Sequence, residues 1–418
     1  MDLEALDMDL EADMDLEEDM DLEAPAMDLE ALQKPISNQT DVAMKITKQL
    51  VESEFKNKNI IYSPLSIHIV LSLIAARTNN PQFLSFLNSK SIDDLNSLAF
   101  NLVTSVLADS PSRGGPRLNF TNGLWVGEST PLEESYKKVA LDSYKAALNE
   151  VDFKTDPEKV RIQVNSWVEE QTKGLIPEIL PPGSVHRATG LIYANALYFK
   201  ATWNDDYFRK PPKSKVLKFY LLNGDSVKGV PYMTSRHEHY IAVFDDFKVL
   251  SLRYRDCAEE NFYNDTYEDD PRSFSMLWLL PDARDGLPAL AKRVCSKSGF
   301  FDRHLNSESF TSVKLKKFLI PKFKISSRFE ASGVLQKLGL GGVCDSMLIF
   351  HESVIEVDEN GTTAAAATCA QEEESIGSPT KPKVIKEFVA DHPFMFLIRE
   401  NCTGTVLFIG QVLNPLAG

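Results

Sequence analysis

The sequence predicts an α+β fold with antiparallel sheets, on three observations. Helical periodicity dominates the first part of the chain, strand-like apolar runs dominate the rest, and the last two runs are joined by a short Asn-Cys-Thr-Gly turn at residues 401–404. The helical texture begins at Asp41. Residues 64–76 read as one helix opening on Pro64. Asp93 and Asp94 precede Leu95, Leu98, Ala99, Leu102, Val103, Val106 and Leu107, a three-four spacing with acids at the positive end of the helix dipole. Residues 157–173 repeat the pattern, with Val160, Val164, Trp167 and Val168 on one face and Gly174 as the stop. Strands are expected at 118–126, 190–200, 274–280, 350–357, 393–399 and 405–413.

The chain has 418 residues, 43% of them apolar, and a formal net charge of −15 from 45 basic and 60 acidic side chains. Residues 1–32 hold eight Asp, six Glu and no Lys or Arg, so this tail carries −14 and the remainder −1. A near-neutral, apolar body of that length can bury a large core. It lacks the basic clusters that phosphate contact requires, so nucleic acid is excluded as a partner. No apolar run reaches the roughly 20 residues of a bilayer span, which argues against a membrane-spanning helix, and no membrane partner is expected. The start has neither the basic residues nor the apolar stretch of a secretory signal, so cytoplasm or nucleus is expected, with a non-classical extracellular route as the alternative.

The tail is a degenerate repeat in which Met-Asp-Leu-Glu begins at Met1, Met8, Met14, Met20 and Met27. Carboxylates with no opposing charge repel one another, so residues 1–33 are expected to be disordered in isolation. An acidic-hydrophobic segment of this kind can also fold on a protein partner. Five scattered cysteines, Cys257, Cys295, Cys344, Cys369 and Cys402, form no Cys-x-x-Cys pair, which argues against a disulfide framework and a zinc site. His237 and His239 would share a strand face, yet nothing completes a metal set, and they read as a solvated pair. Gly339, Gly341 and Gly342 follow a helix and read as its C-terminal turn rather than a phosphate cradle. No catalytic motif is present, and neither metal nor cofactor is expected.

One segment stands apart. Residues 361–382 separate a strand from the C-terminal strand pair, and a connection of this length within a compact domain usually has a function. Residues 362–370 are all small, able to lie in a loop, a helix or a crowded sheet. That versatility suits a conformational switch.

Glu359-Asn-Gly-Thr-Thr-Ala-Ala-Ala-Ala-Thr368 resembles the hinge of serpins, and Phe388-Val-Ala-Asp-His-Pro-Phe-Met-Phe-Leu-Ile398 their C-terminal signature. Asn165-Ser-Trp-Val-Glu-Glu-Gln-Thr-Lys-Gly-Leu-Ile176, Ala194-Asn-Ala-Leu-Tyr-Phe-Lys-Ala-Thr-Trp203 and Ile320-Pro-Lys-Phe-Lys-Ile325 are similar to further blocks in the family's order. The resemblance runs from about Asp41 to the end, and Leu280-Pro-Asp-Ala-Arg-Asp-Gly-Leu287 is most like plant serpins. It implies a serpin domain over 34–418 with three β-sheets, eight or nine helices and a reactive loop, 361–382, held outside a five-stranded sheet. The implied activity is covalent, loop-inserting inhibition of serine endopeptidases, and of papain-like cysteine proteases, by a monomer that is consumed as a substrate and is not an enzyme. The alternative is a non-inhibitory serpin-fold protein that recruits partners through its acidic tail.

By the same resemblance the loop hinge is Glu359, Gly361, Thr362, Thr363, Ala364, Ala365, Ala366, Ala367 and Thr368. Ser63, Ser66, Asn195 and His351 match the polar cluster under which the sheet opens, Trp203 the aromatic at the top of the opening, and Lys322 with Glu359 an ion pair near the loop's entry. Counting from the hinge places the reactive bond between Ser375 and Ile376, with the neighbouring Glu374 to Ser375 bond as the alternative. The chain departs from the family in a short connection between Leu340 and His351, in a loop that is long on its C-terminal side, and in the specificity-setting triplet Glu372, Glu373 and Glu374. Strand alternation places Thr362, Ala364, Ala366, Thr368, Ala370, Glu372 and Glu374 on one face. If that face turns inward, each unpaired carboxylate costs on the order of several kcal/mol, and insertion is expected to begin easily and finish poorly. With no basic residue just before the bond, trypsin-like targets are disfavoured.

Overall fold

The computed structural model describes residues 29–108, 116–204, 207–208, 215–255, 272–341, 348–362 and 386–418. Helix α1 (Leu29–Glu52) runs through the boundary expected at residue 33, with Leu32 and Ile36 already buried in the main core. Ser63 then caps α2 (Pro64–Thr78): its hydroxyl accepts the Ser66 N–H at 3.1 Å, and Pro64 occupies the first turn, where no N–H is needed. Every residue of α2 from Pro64 to Ala75 is buried. A helix apolar on all sides has to be enclosed, and α2 lies against strands of two different sheets.

Helices α3 (Pro81–Phe86) and α4 (Ile92–Asn101) follow, the second capped by Ser91, whose hydroxyl accepts the Asp94 N–H at 3.1 Å. The apolar face expected as far as Leu107 is kept, but residues Leu102–Val106 widen into a π-helical turn. Helices α5 (Glu134–Asp142), α6 (Pro157–Gln171), α7 (Leu287–Ser296), α8 (Phe300–His304) and α9 (Ala331–Leu335) bring the α-helices among the described residues to nine. Gly339, at φ 97°, closes the turn that follows α9.

Three sheets complete the body. The largest is antiparallel throughout, in the order β1 (Ile60–Tyr62), β17 (Val406–Val412), β16 (Phe394–Glu400), β9 (Phe274–Pro281), β8 (Phe247–Arg253), β7 (Glu238–Val243) and β10 (Thr311–Lys314). A smaller sheet runs β15 (Glu387–Val389), β11 (Lys317–Pro321), β6 (Ser226–Met233) and β5 (Lys215–Tyr220). The third runs β12 (Phe323–Glu330), β13 (Leu348–Asp358), β14 (Gly361–Thr362), β4 (Leu191–Thr202), β2 (Arg117–Gly127) and β3 (Ala146–Val151). Among the described residues the antiparallel expectation fails at three ladders, β2 with β3, β11 with β15 and β13 with β4. Parallel strands need a crossover, and α5 supplies it between β2 and β3.

The reading of His237 and His239 as a solvated pair fails for His239. His237 precedes β7 and is exposed, whereas His239 is on the strand and its pleat turns the ring inward. The ring stacks 4.1 Å from Phe318 and 5.3 Å from Tyr207. Burial pushes its imidazole down to about 4.

Candidate functional site

Strands β4 and β13 run parallel and meet at their starts, where Ile192 pairs with Leu348 and Tyr193 with Ile349. At the far end β14 sits antiparallel between them, Thr362 opposite Val357 and Ala201, Gly361 opposite Asp358 and Thr202. Between these closed ends, among the described residues, 350–356 and 194–200, seven on each strand, face one another without a ladder. The third sheet therefore holds a cleft one strand wide at the β14 end that tapers to nothing at Ile349. The expected five-stranded sheet is present as β12, β13, β4, β2 and β3, with the first two residues of the expected loop already inside it.

Specific contacts hold those two residues. Gly361 has φ 138°, and a Cβ there would collide with the Ala201 backbone. Thr362 is 2% exposed, and its hydroxyl lies 2.8 Å from that of Tyr254. The Tyr254 ring stacks at 4.7 Å on Trp203, whose indole N–H donates to the Asp358 carbonyl at 2.7 Å. Burial holds the Tyr254 phenol well above its ordinary range, so it stays a neutral hydrogen-bonding group. Just outside, Lys322 forms an ion pair with Glu359 while Lys322 N–H donates to Pro231 O at 2.9 Å, tying the entry to β6.

A polar cluster lies lower in the cleft. The Ser63 N–H donates to His351 Nε2 at 3.0 Å, which makes that nitrogen an acceptor, so the Ser353 hydroxyl at 2.9 Å must donate to it. Burial pushes the His351 imidazole down to about 3, which keeps it neutral. Asn195 stands level with His351 on the opposite bank and donates instead to Asn122 Oδ1 at 2.5 Å, while Asn122 donates to the Tyr144 carbonyl at 2.8 Å. Ser63 thus joins His351 on one bank, Ser66 is tied to Ser63 through its N–H, and Asn195 stands on the other bank. The Ser66 hydroxyl and Asn195 Oδ1 are buried without a partner among the described residues.

Helix α6 covers the outer face. Its Val160, Val164 and Val168 pack with Trp125, Ile192 and Ala194 into a second core, which Phe350 and Val354 of β13 adjoin. Asn165 secures the segment after the helix: its amide donates to the Leu180 carbonyl at 3.0 Å and its Oδ1 accepts Ile179 and Leu180 N–H at 3.1 and 2.8 Å. Thr363, Ala364, Ala365, Ala366, Ala367, Thr368, Glu372, Glu373, Glu374, Ser375 and Ile376 lie outside the described residues, as does part of the short connection before β13. That strand nevertheless pairs with β12 from Phe323 opposite Val357 to Glu330 opposite Phe350.

A family model described as serpin (serine protease inhibitor) matches residues 37–415. The chain is a serpin. It is 41% identical over 416 residues to Serpin-ZX of Arabidopsis thaliana, covering 92% of this chain and 99% of that protein. It is 39% identical over 401 residues to the probable non-inhibitory serpin-Z5 of the same plant, covering 94% of this chain and 87% of that one. Arabidopsis AtSerpin1 in its native stressed conformation superposes with a TM-score of 0.78 at 40% identity, covering 94% of this chain and 100% of the other. The family is one of protease inhibitors, not enzymes. Among the described residues of this serpin no helix is long and apolar enough to cross a membrane.

Three residues of the site escaped the sequence reading. Ser353 lies two positions after His351 on the same strand face, so period-two alternation alone would have added it. Asn122 and Tyr254 carry no such signal, because only the β2–β4 register and the isolated Trp203–Tyr254 bridge bring them to the cleft.

Proposed function

We propose that this serpin is a covalent, loop-inserting inhibitor of serine endopeptidases, with papain-like cysteine proteases as a further target class. The observation that carries the reading is the hinge already seated above an open cleft. If the β14 register continued on insertion, residues 363–369 would fill the seven open positions, with Ala364 opposite Ile355 and Phe199, Ala366 opposite Ser353 and Leu197, and Thr368 opposite His351 and Asn195. Thr362 faces the core, so the even-numbered residues would as well. They are small enough for a packed interior, and Thr368 would bring a hydroxyl to the level of the unpartnered Asn195 oxygen.

In this mechanism the protease nucleophile attacks the Ser375 carbonyl, forming an ester or thioester and releasing the Ile376 amine. Insertion of the hinge side then competes with hydrolysis of that acyl bond. The same register would bring Glu372 opposite Leu191, the first residue of β4, and carry Glu374 past the strand end. Reaching that point means separating the Ile192–Leu348 and Tyr193–Ile349 pairs and bringing in a carboxylate. Insertion thus starts in a prepared cleft and meets resistance last, which predicts a high proportion of simple cleavage. The same carboxylates and the similarity to serpin-Z5 favour the second reading, a non-inhibitory monomer of the cytoplasm or nucleus whose acidic tail recruits a partner.

A protease panel read by denaturing gels, with mass spectrometry of the released C-terminal fragment, separates the two. Inhibition predicts an SDS-stable complex and a fragment that begins at Ile376. Complete cleavage by every protease with no covalent complex would leave only the binding-protein reading.

A further inference from the structure

We infer that Glu178, held between Arg161 and Arg328, is a strap across the insertion cleft that sets how fast the sheet opens. This rests on the insertion reading proposed above. The cleft divides the third sheet into one bank of β4, β2 and β3, on which α6 is packed, and another of β12 and β13. Arg161 belongs to the α6 bank: it binds Glu158 in the same helix at 2.7 Å, Glu178 at 3.1 Å and the Leu180 carbonyl at 2.8 Å. Arg328 belongs to the other bank, where it lies opposite Glu352 and binds that carboxylate at 2.7 Å. Glu178 reaches both banks, since its second oxygen is 3.7 Å from Arg328.

The chain carrying Glu178 is not free to follow the moving bank. Asn165 and Arg161 fasten it to α6 at Ile179 and Leu180. An inserted strand pushes its neighbours apart by up to about 4.8 Å. Added to the 3.7 Å contact, that exceeds any ion-pair distance, so the Glu178–Arg328 contact breaks as the cleft fills at this level. The Arg328–Glu352 contact is carried along unchanged, because both partners move together. Glu178 is therefore a positioning residue for insertion, and its effect falls on the rate of opening.

The exposed pair Lys324–Glu356, 3.1 Å apart on β12 and β13, supplies a control because it lies within one bank. The test is the rate at which a synthetic peptide with the sequence of residues 362–370 anneals into the full-length protein, followed by native gel and melting temperature. Glu178→Gln should anneal roughly two- to five-fold faster than the parent, the scale of a partly exposed ion pair. Raising salt to about 0.5 M should accelerate the parent and leave Glu178→Gln unchanged, since screening dissolves the strap. Glu356→Gln should match the parent, and Arg328→Lys should retain the salt response because the charge remains. Equal annealing by Glu178→Gln and the parent, or equal acceleration by Glu178→Gln and Glu356→Gln, overturns the strap alone. No annealing by any chain, together with no rise in melting temperature on loop cleavage, removes the insertion reading and the strap with it.

Discussion

Replacing Thr362 by Arg should uncouple folding from insertion. The side chain at this position is 2% exposed and its hydroxyl completes a hydrogen bond to Tyr254 at 2.8 Å. An arginine in the same place would bury a guanidinium without an acid beside it, at a cost of several kcal/mol. It would also strand the Tyr254 hydroxyl, at about 1–3 kcal/mol. In the intact protein the two-residue strand can leave the cleft, so the loss there is limited to the hinge contacts and the fold survives. After cleavage the penalty falls on the inserted state in full. The assay is the melting temperature before and after a single cut in the loop, with covalent complex formation measured alongside. Thr362→Arg should melt within a few degrees of the parent when intact, lose most of the gain on cleavage and act as a substrate. Thr362→Ser, which keeps the hydroxyl, should behave like the parent. An unchanged gain and undiminished trapping by Thr362→Arg would refute the claim that Thr362 leads the inserting strand.

Acid should unfold the protein early. His68, His239 and His351 are buried, and burial pushes their imidazoles down to about 4, 4 and 3. The unfolded chain takes up these protons near pH 6.5 and the folded one far lower, so the stability is complete above pH 6.5 and is lost as pH falls towards the folded values. At pH 5 the three together cost about 6 kcal/mol, so denaturant midpoints should drop steeply between pH 6.5 and 4, and His239→Phe should blunt the drop by about a third. Asn165→Ala removes the acceptor for two buried N–H groups and should cost about 2–4 kcal/mol in urea unfolding. Lys322→Ala breaks a partly exposed pair with Glu359 and should lower stability by about 1 kcal/mol or less, read as a small fall in melting temperature. Glu372→Ala combined with Glu374→Ala should raise the fraction of protease trapped at neutral pH, and an unchanged ratio of complex to cleaved inhibitor would rule out the carboxylates as the brake.

Local chemistry makes much of this fold legible in the sequence. Asp93 and Asp94 mark a helix start, and they fall in the first turn of α4, which begins at Ile92. The strand-like runs at 118–126 and 350–357 are the middles of β2 and β13. What stayed hidden depends on pairing between segments far apart in sequence. Alternation gave the face of Thr362 relative to Glu372 but not which face is inward, because that is set by Val357 and Ala201 on the neighbouring strands. The outer limit of the cleft was likewise invisible, since it is fixed where Ile349 meets Tyr193 across more than 150 residues. His239 misled for a related reason. Its neighbours are polar, and only the packing of β7 against Phe318 and Tyr207 buries it. Helix α1 extends into the acidic repeat because Leu32 and Ile36 find a core that composition alone does not reveal.

The most direct test of the central claim, that a seated hinge leads residues 363–369 into a waiting cleft, is calorimetry of the full-length protein before and after one cleavage within residues 371–380. Insertion predicts a higher melting temperature for the cut form, by about 6 °C if the added strand contributes about 5 kcal/mol. A cut form that melts at or below the temperature of the intact protein would contradict it.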